Sequence, residues 1–202
     1  MIPLLLATRN RGKKREIEEL LTGGGLDVRL LSLADAEIAG EAAETGETFA
    51  ANARLKADFY SRLTGLDTLG DDSGLEVVAL GGRPGVRSAR YAGCGADDDA
   101  RIQKLLAEME RVADRRARFV CSVCLSRRGQ PLASFLGTVE GEILRAKRGA
   151  GGFGYDPLFL YPPLGKTFAE LPLEEKNRIS HRACALSQVR EFILSGGLKK
   201  PR

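Results

Sequence analysis

Histidine is almost absent from this sequence: His181 is the only one among 202 residues. That excludes paired-histidine metal motifs. Cysteine offers little more, with Cys94, Cys121, Cys124 and Cys184. Cys121 and Cys124 form a C-x-x-C, but they lie in RFVCSVCLS, an apolar run that reads as a buried strand. Residues three apart on a strand face opposite sides, and the other two cysteines are isolated. They read as structural thiols. Any metal must then be held by carboxylates, which favours Mg²⁺ or Mn²⁺. Tryptophan is missing, and no apolar run of about 18 residues exists, which argues against a membrane span. Charge of one sign is missing too. The net charge of +4 comes from 31 basic and 27 acidic residues. That balance does not announce a nucleic-acid binder, but it suits a small polyanion met by a local cluster of Lys and Arg. The doublets Arg127-Arg128 and Lys199-Lys200 read as solvated loop and tail residues. The start, MIPLLLATRNRGKK, puts apolar residues before basic ones, the reverse of a secretory signal. It reads as a mature cytoplasmic N-terminus.

What is present is an alternation of apolar elements. PLLLAT (3–8) reads as a buried strand. Asn10 caps a helix with Ile17, Leu20 and Leu21 on one side, stopped by Gly23, Gly24 and Gly25. DVRLLS (27–32) is a second strand, and residues 33–46 are a small acidic connection. Thr48 to about Leu63 reads as a helix with Phe49, Ala53, Leu55, Phe59 and Leu63 as core candidates. TLGDDSGLEVVAL predicts a strand, a glycine break and a second extended piece. Ile102, Leu105, Leu106, Met109 and Val112 mark an amphipathic helix. ARFVCSVCLS and PLASFLGTVEGEIL, joined through Arg128-Gly129-Gln130, predict a hairpin. A last helix covers about Arg182 to Leu194. Interleaved strands and helices with a late hairpin predict an α/β protein with a mixed sheet, one domain over residues 1–202 with any two lobes sharing that sheet.

Two motifs mislead. GAGGFG (149–154) matches a dinucleotide fingerprint, but Pro157 follows and no amphipathic helix opens there. Gly165-Lys166-Thr167 resembles the end of a P-loop, whose first glycine would fall at Leu160.

Four polar segments close apolar elements. In ATRNRGKK, Thr8, Asn10 and Lys13 stand at a helix N-terminus, where amides and the dipole favour an anion. An ordinary cap with solvated lysines fits equally. In EAAETGETFAANARLK, Glu44 precedes a helix on which Asn52 and Lys56 share a face. In LGDDSGLEV, Asp71 and Asp72 point to opposite faces of an extended segment, so they cannot do the same job. One reading gives a metal-binding or water-activating acid, the other a turn-capping pair. In GGFGYDP and KTFAELPLEEKNRISHRACA, Phe153 and Tyr155 offer flat faces, and Lys176, His181 and Arg182 are donors. Ser180 before a helix also allows a capping role for that segment.

Together, ATRNRGKKREI, ETGETFAANARLKA, DDSGLEVVALGGRPGVRSARYAG, GGFGYDPLF, KTFAEL and EEKNRISHRACAL resemble, in order, the inosine/xanthosine triphosphate pyrophosphatase (ITPase-like) family over about residues 3–194. The resemblance implies an elongated mixed sheet with flanking helices and two lobes around a deep cleft, in a homodimer. It implies Mg²⁺-dependent cleavage of ITP, dITP and XTP to the monophosphate and pyrophosphate. By the same resemblance, the segment Thr8, Arg9, Asn10, Arg11, Gly12 and Lys13, with Lys56, holds the triphosphate. Glu44 and Asp72 ligate Mg²⁺, and Asp72 also activates water. Ser73 contacts substrate, and Asp71 supports its neighbour. Phe153, Gly154, Tyr155, Asp156, Lys176, His181 and Arg182 form a base pocket. Arg9 departs from the family, which often has Gly there, and is expected to add charge beside the phosphates. A relative acting on modified pyrimidine triphosphates is the nearest rival. A basic nucleic-acid module is a remoter one, since no aromatic-basic interleaving supports it.

Overall fold

A computed structural model describes residues 1–22 and 26–198. The elements run β1 (Ile2–Leu6), α1 (Arg11–Thr22), β2 (Val28–Ser32), α2 (Phe49–Thr64), β3 (Asp67–Val77), α3 (Asp98–Glu108), β4 (Arg116–Arg127), β5 (Gln130–Ile143), β6 (Phe159–Tyr161), β7 (Lys166–Thr167), α4 (Leu173–Ile179) and α5 (His181–Leu194). The seven strands form one sheet in the order β2-β1-β3-β4-β5-β6-β7. β1 pairs in parallel with both β2 and β3, while β6 pairs antiparallel with β5 and β7. The sheet is therefore mixed, as the element order predicts. β4 and β5 meet through Arg128 and Gly129, both at positive φ (50° and 77°), the geometry that matches a two-residue hairpin to strand twist. No helix among the described residues is long and apolar enough to cross a membrane. Gly23–Gly25 and Lys199-Lys200 lie outside the described residues. Arg127 is no idle solvated residue, because its guanidinium grips both Asp67 carboxylate oxygens at 2.6 and 2.7 Å.

The chain divides into two compact units, and the division falls within β3, β4 and β5. The first comprises Met1–Asp72, Cys121–Gly137 and the chain from Arg182 on. Its main core joins Leu4 and Leu6 of β1, Ile17 and Leu21 of α1, Leu69 of β3, Cys121, Val123 and Leu125 of β4, and Leu186, Val189 and Ile193 of α5. Cys124 belongs instead to a cluster with Ala53 and Ala57 of α2. The two cysteines therefore face opposite sides, as strand alternation requires. Both are free and buried, and burial pushes the Cys121 thiol up to about 12. The second unit comprises Ser73–Val120 and Thr138–His181. Phe119 centres an aromatic group there, with ring centroids 4.5 Å from Phe159, 5.8 Å from Phe168 and 4.7 Å from His181.

Two expectations need correction. The buried face of α2 is Phe49, Asn52, Ala53, Lys56, Ala57, Tyr60 and Ser61. Leu55, Phe59 and Leu63 are exposed, at 39%, 39% and 58%. Phe49 and Ala53 are buried as expected, but Asn52 and Lys56 share that inner side, and Leu55, Phe59 and Leu63 do not. β3 is also one continuous strand with no break at Gly70. A Cβ on Gly70 would stand 2.3 Å from the Ala53 carbonyl oxygen and 2.7 Å from the Ala57 nitrogen. The glycine lets α2 lie directly on the strand. Gly70→Ala should therefore destabilise the fold by about 1–3 kcal/mol. Urea unfolding checks this, and an unchanged midpoint would contradict the close approach.

Candidate active site

The first unit gathers charge around two adjacent acids. β1 ends at Leu6, and the chain enters α1 through Thr8 and Asn10. Asn10 Oδ1 accepts the Lys13 amide at 2.9 Å, and Thr8 Oγ1 accepts the Asn10 amide at 3.3 Å. Asn10 is the expected N-cap. Arg11 and Gly12 supply the first amides of the helix, which have no acceptor inside it. Lys13 and Glu16 lie three residues apart, hence on one face of α1. Lys13 Nζ is 2.9 Å from Asp71 Oδ2. The Arg182 guanidinium, entirely buried, donates to Glu16 and comes within 4.0 Å of Asp71.

Strand alternation places Asp72 on the other side of β3 from Asp71, facing α2. Asn52 Nδ2 donates to Asp72 Oδ2 at 3.1 Å, while Asn52 Oδ1 accepts the Gly46 amide at 2.8 Å. Lys56 Nζ lies 3.3 Å from Glu44 Oε1. The two acids diverge electrostatically. Burial raises the Asp71 carboxyl, but Lys13, Lys56 and Arg182 outweigh it and hold it down at about 2. Burial also raises Asp72, and Glu44 adds to the rise. Lys13, Lys56 and the Asn52 bond do not cancel it, so Asp72 stays above the ordinary carboxylate value. Burial lowers Lys56, but Asp71, Asp72 and Glu44 prevail and raise it. Asp71 is thus a balanced buried charge. Asp72 is a buried carboxylate whose desolvation is not fully offset by the groups around it, and Glu44 adds to the rise.

That deficit suits a divalent cation. Among the described residues no group of three or more His, Cys, Asp or Glu side chains gathers for metal binding. Glu44 and Asp72 are a pair, which fits Mg²⁺, an ion held by one or two carboxylates together with substrate phosphates and water.

The second unit carries the other expected residues. The Asp156 carboxylate accepts the Phe153 amide at 2.9 Å and bonds the Lys176 ammonium, both partners buried. That ammonium lies 4.9 Å from the centroid of the half-buried Phe153 ring. Gly152 has φ 70°, and a Cβ there would stand 2.1 Å from Asp156 Oδ2. Only glycine lets the loop close over the carboxylate. The Gly154 amide donates to Asp98 Oδ2 at 2.6 Å. His181 is buried and lies nearly parallel to Phe119. Ser73, half-buried, follows Asp72 on β3.

Three expected residues have other partners. Tyr155 is 4% exposed, with its hydroxyl donating to the Ser88 carbonyl at 3.0 Å, so its ring offers no free stacking face. Arg182 lies in the first unit, on Glu16 and near Asp71. Arg9 donates to backbone carbonyls of residues 38–40. Sequence reasoning also missed contributors. Glu16 and Asn52 were visible only as helix-face neighbours of Lys13 and Lys56, and Asp98 gave no signal at all.

The Lys176–Asp156 pair has a consequence for stability. Asp156→Asn leaves a buried ammonium without its counter-charge and should cost about 3–5 kcal/mol in denaturant unfolding. Lys176→Met in the same background should restore much of it. An Asp156→Asn protein of unchanged stability would contradict the pairing.

The Ham1 family model matches residues 4–192. A dITP/XTP pyrophosphatase of Syntrophobacter fumaroxidans is 51% identical over 94% of this chain and 81% of its own length. One of Geobacillus kaustophilus is 50% identical over 95% of this chain and 94% of its own. Among solved structures, a HAM1 protein from Coxiella burnetii has a TM-score of 0.88 at 42% identity, covering 96% of this chain and 100% of that one.

Proposed function

The chain belongs to the Ham1 family, and we propose that it hydrolyses the noncanonical purine nucleotides ITP, dITP and XTP to the monophosphate and pyrophosphate. It is a hydrolase acting on a triphosphate anhydride. The observation that carries the mechanism is the unequal pair on β3: Asp71 is held ionised by Lys13, Lys56 and Arg182, while Asp72, buried on the other face beside Glu44 and bonded to Asn52, is raised.

The first unit serves the phosphates. Thr8, the amides of Arg11 and Gly12, and the Lys13 and Lys56 ammonium groups bind the triphosphate. Glu44 and Asp72 hold Mg²⁺, which when bound neutralises phosphate charge and acidifies water. Water attacks the α-phosphorus in line. The bond from that phosphorus to the bridging oxygen breaks, pyrophosphate leaves with the electron pair, and Asp72 accepts the proton. Asp72 is placed for that task by geometry, on the α2 side of β3 with Asn52 fixing one carboxylate oxygen. Asn52 holds Asp72 and Gly46 together, and Ser73 contacts substrate. Asp71 and Arg182 keep Lys13 in place.

Base recognition is assigned to Phe153, Gly154, Asp156, Lys176 and His181. Phe153 supplies a face for stacking, and Gly154 allows close backbone approach. Lys176 and His181 offer donors to the oxygen at purine position 6, and Asp156 orients Lys176. ATP carries an amino donor at that position and would leave buried donors unpaired. GTP keeps the oxygen, so its 2-amino group is the feature the pocket must exclude. The working form is a homodimer in the cytoplasm.

Pyrophosphate release from ITP, dITP, XTP, ATP and GTP, with and without Mg²⁺, tests this reading. The first three should be cleaved only with metal and at least about a hundredfold faster than ATP and GTP. Labelled oxygen from water should appear in the monophosphate. Equal rates on all five would overturn the base assignment, and label in pyrophosphate would overturn the attack at the α-phosphorus.

A further inference from the structure

Arg9 stands between Thr8 and Asn10, in the turn that leads into α1. Its guanidinium nevertheless reaches across about thirty residues of chain. A single nitrogen, Nη2, donates to the carbonyls of Ile38 and Ala39 at 3.2 Å each and to that of Gly40 at 2.9 Å. The segment it grips leads directly to Glu44. The other side of that segment hangs on α2 by a ladder of residues four apart. Tyr60 donates its hydroxyl to the Gly40 carbonyl at 3.2 Å and accepts the Ala42 amide at 3.4 Å. Lys56 pairs with Glu44, and Asn52 accepts the Gly46 amide. The side chains of the ladder are buried, whereas Arg9 is exposed and comes from the phosphate-binding turn.

We propose that Arg9 is a positioning residue that ties the phosphate-binding turn to the Glu44 segment, so that the carboxylate is held ready for Mg²⁺. Its charge serves three backbone carbonyls, and its effect on substrate passes through Glu44. The proposal rests on the functional reading above, and its test separates the two.

The variants are Arg9→Gly, Arg9→Lys and Tyr60→Phe. Hydrogen exchange at the Ala42 and Gly46 amides, read in metal-free protein without nucleotide, should quicken in Arg9→Gly and Tyr60→Phe. Mg²⁺ needed for half-maximal ITP turnover should rise about tenfold in Arg9→Gly, as when a ligand's supporting partner is lost. At saturating Mg²⁺ kcat should return to the wild-type value. Arg9→Lys should recover part of both effects, since one ammonium can serve some of the carbonyls. Unchanged exchange in Arg9→Gly would overturn the proposal. So would a KM for ITP raised equally at every Mg²⁺ concentration, which marks direct phosphate contact. If the wild-type protein does not cleave ITP, the functional reading fails, and the exchange measurement still decides whether Arg9 holds the segment.

Discussion

A carboxylate buried in an apolar interior must be answered by positive charge, and the first unit is organised around that demand at Asp71. Desolvation alone would drive a buried carboxyl to its neutral form. Lys13 from α1 and Arg182 from α5 reverse this, and Glu16 in turn answers Arg182. Two helices and a central strand are thereby joined through charge as well as through the Leu4, Ile17 and Leu186 core. Such a network is strongly destabilised by losing one member, though its net contribution over apolar packing is small. Its value lies in position: Lys13 is held at the start of α1, beside the turn that faces a polyanion.

The same strand alternation leaves Asp72 in the opposite condition. Its neighbours on α2 are Asn52 and Lys56, and Lys56 is shared with Glu44. Burial raises Asp72 more than Lys13, Lys56 and the Asn52 bond lower it, and Glu44 adds to the rise. One residue of separation along β3 therefore separates a lowered carboxyl from a raised one. In the second unit the logic recurs in smaller form, with Asp156 fixing both Lys176 and the backbone of Phe153. Lys176 is thereby held in one place between the Asp156 carboxylate and the Phe153 ring.

Much of this was legible in the sequence where local physics decides. The Asn10 cap, the apolar β1, the hairpin at Arg128-Gly129 and the opposed faces of Cys121 and Cys124 follow from short-range rules. The errors fall where function or tertiary contact overrides them. α2 was read correctly at Phe49 and Ala53 and misread at Leu55, Phe59 and Leu63, because its inner face also carries Asn52 and Lys56. Gly70 looked like a break, but a helix backbone seated on the strand is what requires it. Tyr155 looked like a stacking surface, yet its hydroxyl reaches Ser88, far away in sequence. Arg182 looked like a base donor by its place beside His181, and only the fold shows Glu16 waiting for it. Long-range polar partners leave no periodic trace.

The account stands on the unequal roles of Asp71 and Asp72, and one paired measurement reaches it directly: turnover of ITP and unfolding free energy for Asp72→Asn and Asp71→Asn, side by side. Asp72→Asn should lose far less stability than Asp71→Asn, because burial makes the Asp72 charge costly and an amide oxygen can still accept the Asn52 bond, and should lose turnover on the order of 10²–10⁴-fold. Asp71→Asn should lose about 3 kcal/mol or more, because Lys13 loses its carboxylate partner and Arg182 keeps only Glu16 to offset its buried charge. An Asp72→Asn enzyme that still turns over ITP, or an Asp71→Asn protein as stable as wild type, would contradict the division of labour on β3.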